Sequence, residues 1–218
     1  MLSWRLGARF ATRPWFEPGG VCLALILLLS APVLSVLTPE SAFAEERRGL
    51  PGLLLLGLLA GAALALLPLG RRGALLELLG LRSRLAVQAL ALFGSALLGA
   101  GLVLLGSGRL PAEPASVLLA LPVGALHLAG FGVALLALPG PGSARALAFL
   151  SAVWWLPALL LDPGGWQGWL RRPLEPGLAL ELAASDSPSP AAILPAALLA
   201  GAVFLAGIST ASSAARTG

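Results

Sequence analysis

Residues Leu85–Leu105 read LAVQALALFGSALLGAGLVLL, an apolar run without a charged side chain. A helix needs roughly 17–25 apolar residues to cross the hydrocarbon core of a bilayer, and this run reaches that length. In lipid, each backbone N–H and C=O needs an internal partner, which a helix provides. The run therefore predicts a membrane-spanning helix.

Five further runs of similar composition flank this one. The only charged residue in any of them is Arg145, at the second position of the fifth run. We predict an all-α fold, an integral membrane bundle of about six transmembrane helices that forms a single domain over residues 1–218. The predicted spans are residues 21–38, 51–69, 85–105, 115–138, 144–161 and 191–208.

The composition argues against several classes of function. Only 11% of the residues are charged, whereas soluble domains carry about 25%. All 14 basic residues are arginines, and none lies in a run longer than two. The sequence therefore has no basic stripe of the kind that indicates nucleic-acid binding. A phosphate loop of the Walker type needs a lysine, which the chain lacks. One Cys and one His cannot form a metal site of the usual Cys/His kind. We therefore expect no catalytic, cofactor-binding or metal-binding residues, and Cys22 is expected to pack near the start of the first span.

The arginines predict the orientation, since short cytoplasmic loops are enriched in Lys and Arg. Nine arginines fall on one side of the predicted spans and five on the other, where the longest connection, residues 162–190, also lies. Both termini are therefore expected in the cytoplasm. The nine are Arg5, Arg9, Arg13, Arg71, Arg72, Arg82, Arg84, Arg145 and Arg216.

An alternative concerns the first span. Ala42-Phe43-Ala44 precedes Glu45-Glu46 and is similar to a signal-peptidase site. The region before it is long for a signal peptide, which favours a retained span. Cleavage would leave five spans in the same orientation.

Residues 1–15 combine arginines and aromatic side chains. Arg5, Arg9 and Arg13 recur every four residues, which places them on one face of a helix. We predict an interfacial helix whose apolar side chains Trp4, Leu6, Phe10 and Trp15 lie at the level of the lipid headgroups. Pro14 should end it at or just before Arg13. The alternative is a flank that only sets the topology.

Residues 70–84, GRRGALLELLGLRSR, form the longest cytoplasmic connection. The leucines supply an apolar face and the arginines with Glu77 a polar one, which predicts a short amphipathic helix. Such a helix could dock into a cytosolic partner, or it could be an interfacial loop.

Few polar residues lie inside the predicted spans. His127 is near the middle of the fourth span and Gln88 near the start of the third, which makes them a candidate intramembrane polar site. A packed, hydrogen-bonded structural histidine is favoured over a ligand or a proton relay. The small-residue pairs Gly57/Gly61 and Ala197/Gly201 would permit close helix approach. Membrane anchoring is the favoured explanation for Trp154, Trp155, Trp166 and Trp169.

The order of these segments resembles the permease subunit of a type-2 ABC exporter, most of all the haem exporter B subunit of cytochrome c maturation. The resemblance covers nearly the whole chain and rests on the collinear order of short motifs. These are Trp4-Arg5, Leu34-Ser35, Pro39-Glu40, Leu50-Pro51-Gly52, Leu76-Glu77-x-Leu79, Ala192-Ile193-Leu194, Leu198-Leu199-Ala200-Gly201 and Ser213-Ala214-Ala215-Arg216.

The resemblance implies a permease in the bacterial inner membrane, driven by a separate ATPase subunit. It implies coupling to that ATPase through residues of the 70–84 segment, and homo- or hetero-oligomers that include further cytochrome c maturation membrane proteins. The coupling residues would be Gly73, Leu76, Glu77, Leu79, Ser83 and Arg84.

Three other functions stay open at the level of the sequence. One is a type-2 exporter with another substrate, and the second is a non-transporting membrane scaffold or assembly factor. The third is a secondary carrier, which would usually show intramembrane charges or broken helices. Such breaks could fall at Pro68, Pro122, Pro157 or Pro195.

Overall fold

The computed structural model describes residues 2–37, 46–71, 76, 78–107, 114–137, 141, 144–149 and 190–217. Every regular element within those ranges is helical. Residues 144–149 form a helical stretch, and a 3₁₀ helix at Arg13–Phe16 follows the first helix. The main helices are α1 Leu2–Thr12, α2 Pro18–Leu37, α3 Glu46–Arg71, α4 Leu81–Ser107, α5 Pro114–Leu136 and α6 Pro190–Thr217.

Local sequence explains why these helices begin and continue. Leu and Ala, which dominate the chain, are strong helix formers. Three helices start at a proline, Pro18, Pro114 and Pro190, where the missing N–H costs nothing. Helices α5 and α6 also run past internal prolines, Pro122 and Pro195, as membrane helices tolerate.

Within the described part of the chain, three helices are long and apolar enough to cross a membrane: α4 over its full length, α5 over Ala115–Leu136 and α6 over Ile193–Ala215. These correspond to the third, fourth and sixth predicted spans, and the chain is a membrane protein. Shorter apolar stretches, Pro18–Ser30 and Leu53–Leu69, lie in α2 and α3. Most of the fifth predicted span and residues 162–189 lie outside the described residues, so the number of spans stays a prediction.

Helix α4 is the centre of the bundle. It packs against α1, α2, α3 and α5, and it touches α6 over a small area. Helix α5 is largely buried, whereas α6 packs chiefly on α5 and leaves most of its surface exposed. The core therefore lies along α3, α4 and α5, with α6 at the edge.

The close contacts also fix the relative directions of the helices. Gly57 and Gly61 of α3 lie against Gly99 and Ser95 of α4, in reversed order, so α3 and α4 are antiparallel. Helix α5 is also antiparallel to α4. Gly132 of α5 lies against Leu92 of α4, and further along α5 Leu136 lines the same cavity as Leu85, near the start of α4.

Helices α2 and α6 complete this arrangement. Gly106, at the end of α4, lies against Leu28 of α2, and α2 starts just after the 3₁₀ helix that contacts the middle of α4. Helix α2 therefore runs in the direction of α4. Gly207 of α6 lies against Gly130 of α5, and Ala211 meets the end of α5 at the same cavity, so α6 runs in the direction of α5.

Helix α1 lies along the first half of α4. Gly7 packs on Leu90, and Ala11 lies beside Gly94. The opposite face of α1 carries Arg5 and Arg9, which are exposed. The helix ends at Thr12, as the position of Pro14 predicts.

The structure differs from the prediction at Trp15 and Cys22. Trp15 does not lie at the level of the lipid headgroups. It is 8% exposed and donates a hydrogen bond to Ser95, the central residue of the apolar run 85–105. The cause is α1, whose small residues let the N-terminal segment pack against α4. Cys22 is exposed because it lies two residues, about 200° of helix, beyond the buried Gly20.

Candidate functional site

A cavity of about 390 Å³ lies at the end of the bundle where α4 begins and α5 and α6 end. Helix α4 contributes Leu81, Arg84, Leu85 and Gln88, which follow the i, i+3, i+4, i+7 spacing of a single helix face. The other walls are the end of α5, at Leu136 and Ala137, and three alanines of α6. These alanines are Ala211, Ala214 and Ala215.

The small side chains of α6 explain why this space exists. Opposite the leucines, arginine and glutamine of α4, α6 offers only methyl groups, and the two helices touch over a small area. The floor of the cavity is polar on one side: Gln88 is 3% exposed and Arg84 is half-buried one turn away. The two side chains together supply amide and guanidinium N–H donors.

None of the described residues that line the cavity is acidic. Apart from Arg84 and Gln88, the described lining residues are leucines and alanines, so a ligand here would meet N–H donors beside apolar side chains. That chemistry suits an anion attached to an apolar body.

The predicted coupling segment borders this cavity. Of its residues, Leu76 is buried, Leu79 is half-buried and Ser83 is exposed, while Gly73 and Glu77 lie outside the described residues. The N–H of Leu79 donates to the carbonyl of Leu76 at 3.1 Å. Between them Leu78 is 83% exposed. The prediction of one amphipathic helix over residues 70–84 is wrong, because residues 70–71 end α3, residues 78–80 form a turn and residues 81–84 begin α4.

His127 and Gln88 do not form one polar site. His127 does not line the cavity, and it lies about 13 Å along α5 from Leu136 at 1.5 Å per residue. The imidazole is 3% exposed and stacks on Phe131, with ring centroids 5.4 Å apart. Its Nε2 has no hydrogen-bond partner among the described residues. The imidazole is therefore packed in the core as predicted, but the predicted hydrogen bond is not found at Nε2 among the described residues.

A buried chain of hydrogen bonds joins three elements, and the sequence reading missed it. Trp15 Nε1 donates to Ser95 Oγ at 2.9 Å, and Ser95 Oγ donates to the carbonyl oxygen of Gly61 at 2.7 Å. Gly61 belongs to the predicted small-residue pair of α3, and its contact with α4 confirms that pair. The signal was available as Ser95-x-x-x-Gly99, a matching small-residue pair on α4.

The second predicted pair behaves differently. A Cβ added at Gly201 would meet no atom within 4 Å, whereas one added at Gly207 would collide with the backbone of Gly130. The close approach of α6 to α5 therefore occurs at Gly207, about two turns further along.

The described residues contain no group of three His, Cys, Asp or Glu side chains that could hold a metal ion. Comparison of the chain with protein-family models, with curated proteins and with solved structures finds no match.

Proposed function

We propose that this chain is the membrane-spanning subunit of an ABC transporter and that a separate ATPase subunit docks on residues 70–84. The observation that carries the proposal is Leu78, a leucine that is 83% exposed on the short connection between α3 and α4. Buried Leu76 anchors the connection beside it, and Arg82 and Arg84 follow. An exposed leucine with basic neighbours suits a docking contact, in which an apolar centre is surrounded by charges.

The helix directions support a six-span topology. Helices α5 and α6 run the same way, so the chain between them, residues 138–189, has to return from one end of the bundle to the other. The fifth apolar run, residues 144–161, is the segment proposed to make that crossing. Helix α2 begins level with the middle of α4 and runs in its direction. The end of α6 shares one side of the bundle with the start of α4. The arginine bias makes that side the cytoplasm.

The packing also supports a mechanical role for the connection. Helices α3 and α4 meet at backbone contact through Gly57, Gly61 and Gly99, so a push on their connection would move them together. Because α4 touches every other main helix, that movement would reach the whole bundle. Closely packed helix pairs of this kind shift between discrete arrangements rather than deforming continuously.

The finer identity is proposed from the resemblance alone. It comprises a bacterial inner-membrane location, haem as substrate, and assembly with other cytochrome c maturation membrane proteins. A type-2 exporter with another substrate and a non-transporting scaffold are the alternatives. Helices α3, α5 and α6 continue past Pro68, Pro122 and Pro195, which disfavours a carrier built on broken helices.

The test is whether an ATPase co-purifies with the chain from its host membranes in mild detergent. We expect ATP hydrolysis in the purified complex and none from the chain alone. Glu77→Arg should lower recovery of the ATPase roughly tenfold or more, since disrupting an interfacial charge contact costs about 1.4 kcal/mol or more. Leu78→Glu should do the same by placing a charge in the apolar centre.

Ser213→Arg is the matched control, because it adds a positive charge to an exposed residue near the end of α6 and leaves the connection intact. Full recovery of the ATPase with both Glu77→Arg and Leu78→Glu would rule out docking on this segment. A complex that contains no ATP-hydrolysing subunit would favour the scaffold.

A further inference from the structure

We propose that the cavity between α4, α5 and α6 binds the phosphate-bearing headgroup of an anionic membrane lipid. The site goes beyond the permease function and does not depend on an ATPase partner. It is defined by Arg84 and Gln88 of α4, by Leu136 of α5 and by Ala211 of α6.

The position of the cavity favours a lipid headgroup. It lies where α4 begins and α6 ends, at the arginine-rich end of the bundle. Basic pockets between transmembrane helices on the cytoplasmic side are typical sites for anionic headgroups. The edge helix α6 has exposed leucines, such as Leu198 and Leu205 at 67% and 68% exposure, and these provide an apolar surface for acyl chains.

The donors match a phosphate diester. The guanidinium of Arg84 presents paired N–H groups with the spacing of two phosphate oxygens, and the amide of Gln88 adds N–H donors one turn away. Gln88 is 3% exposed, so its side-chain amide lies in the bundle interior and is not solvated by bulk water. An amide at this depth is costly unless a polar partner reaches it, and a headgroup in the cavity supplies one.

The size and walls distinguish a lipid from a free anion. A volume of about 390 Å³ falls within the range of small-molecule sites, about 300–1,000 Å³. An inorganic phosphate would leave most of that space empty. Leu81, Leu85 and Leu136 place apolar side chains beside the donors, which suits the glycerol and the first carbons of the acyl chains.

The experiment uses the full chain in mild detergent. Native mass spectrometry measures the bound fraction of added phosphatidylglycerol and phosphatidylcholine, and a thermal unfolding series compares phosphatidylglycerol with inorganic phosphate. We expect preferential retention of phosphatidylglycerol and a rise in Tm with that lipid only. Gln88→Leu, which keeps the volume but removes the amide, should weaken retention roughly tenfold, as loss of a hydrogen bond to a charged group implies.

Ala211→Leu should weaken retention by a similar factor, because it fills the cavity from α6. Arg82→Gln is the control: it removes an exposed charge from the same turn of α4 as Arg84, lies outside the cavity lining and should change retention less than about twofold.

Equal retention of both lipids, or unchanged retention in both cavity variants, would overturn the proposal. An equal rise in Tm with inorganic phosphate would assign the cavity to a soluble anion instead. Both cavity variants leave Glu77 and Leu78 intact, so their outcome is separate from that of ATPase docking.

Discussion

Helix α4 packs in opposite ways at its centre and at its start. At the centre, Ser95 and Gly99 face Gly57 and Gly61 of α3, and the two backbones come into contact. At the start, Arg84 and Gln88 face the alanines of α6, and a cavity of about 390 Å³ separates the helices. Both regions are built with small residues, yet one is closed and the other is open.

The difference lies in what stands opposite each small residue. Where both helices carry Gly or Ser, the backbones approach closely enough for Ser95 Oγ to reach the carbonyl of Gly61, at 2.7 Å. Where alanines meet long side chains, the long side chains hold the helices apart and the space beside them remains. In lipid no hydrophobic force closes such a gap, since the tails are as apolar as leucine.

Gly61→Ala should break the closed region and have the largest effect on stability among the variants at this contact. The added Cβ would collide with the Ser95 carbonyl oxygen, so the helices must separate and the Ser95 hydrogen bond is lost. We expect a loss of about 3 kcal/mol, at the upper end of the usual cost of overpacking. Thermal unfolding followed by size-exclusion chromatography would measure it.

Gly101→Ala is the matched control. It is the same substitution on α4, but a Cβ at Gly101 would meet no atom within 4 Å. The variant should unfold at or slightly above the temperature of the parent chain, because alanine favours a helix more than glycine does. Equal losses in the two variants would show that backbone contact does not hold α3 and α4 together.

The second test concerns the hydrogen bonds that accompany the close contact. Ser95→Ala removes the acceptor of Trp15 and the donor to Gly61, while Trp15→Phe removes the indole N–H together with part of the buried ring system. Hydrogen bonds between membrane helices contribute about 0.6 kcal/mol on average and about 1.7 at most. We therefore expect Ser95→Ala to cost about 1–2 kcal/mol. In Trp15→Phe the lost hydrogen bond contributes about half of that, and the smaller ring adds a packing loss.

The double variant tests whether the two side chains act together. Its loss should fall short of the sum of the single losses, since both remove the same Trp15–Ser95 bond. Ser30→Ala is the control, because Ser30 Oγ donates only to the carbonyl of Leu27 in its own helix among the bonds described. Strictly additive losses for Trp15 and Ser95 would contradict a shared hydrogen bond.

Hydropathy predicts the position of α4 but not the residue at which the helix begins. The charge-free run starts at Leu85, whereas the helix starts at Leu81 and includes Arg82 and Arg84. The reason is that hydropathy marks the apolar layer, while backbone hydrogen bonding continues beyond it. The same holds for α3, which begins at Glu46 rather than Pro51.

Partners from distant parts of the chain could not be predicted. Arg84 and Gln88 were each identified from the sequence, and their spacing by four residues places them on one face. The alanines of α6 that complete the cavity lie more than a hundred positions later, and no local pattern selects them. Trp15 and Ser95 lie 80 positions apart, so their hydrogen bond could not be predicted either. The aromatic residues near the N-terminus predicted a location of Trp15 at the lipid headgroups instead.

His127 offers the last and smallest expected effect. Like Ser95, it is a buried polar side chain, but its Nε2 has no hydrogen-bond partner among the described residues. A buried group without a partner contributes little or costs free energy, so His127→Leu should change stability by less than about 1 kcal/mol in either direction. Leu128→Ala, at a neighbouring position with no exposed surface, should instead cost about 2–5 kcal/mol through the cavity it leaves. A loss for His127→Leu as large as that of Leu128→Ala would show that the imidazole has a polar partner in the folded protein. Measured beside Ser95→Ala, the histidine variant therefore tests whether burial alone, or burial with a partner, makes a polar residue of this bundle stabilising.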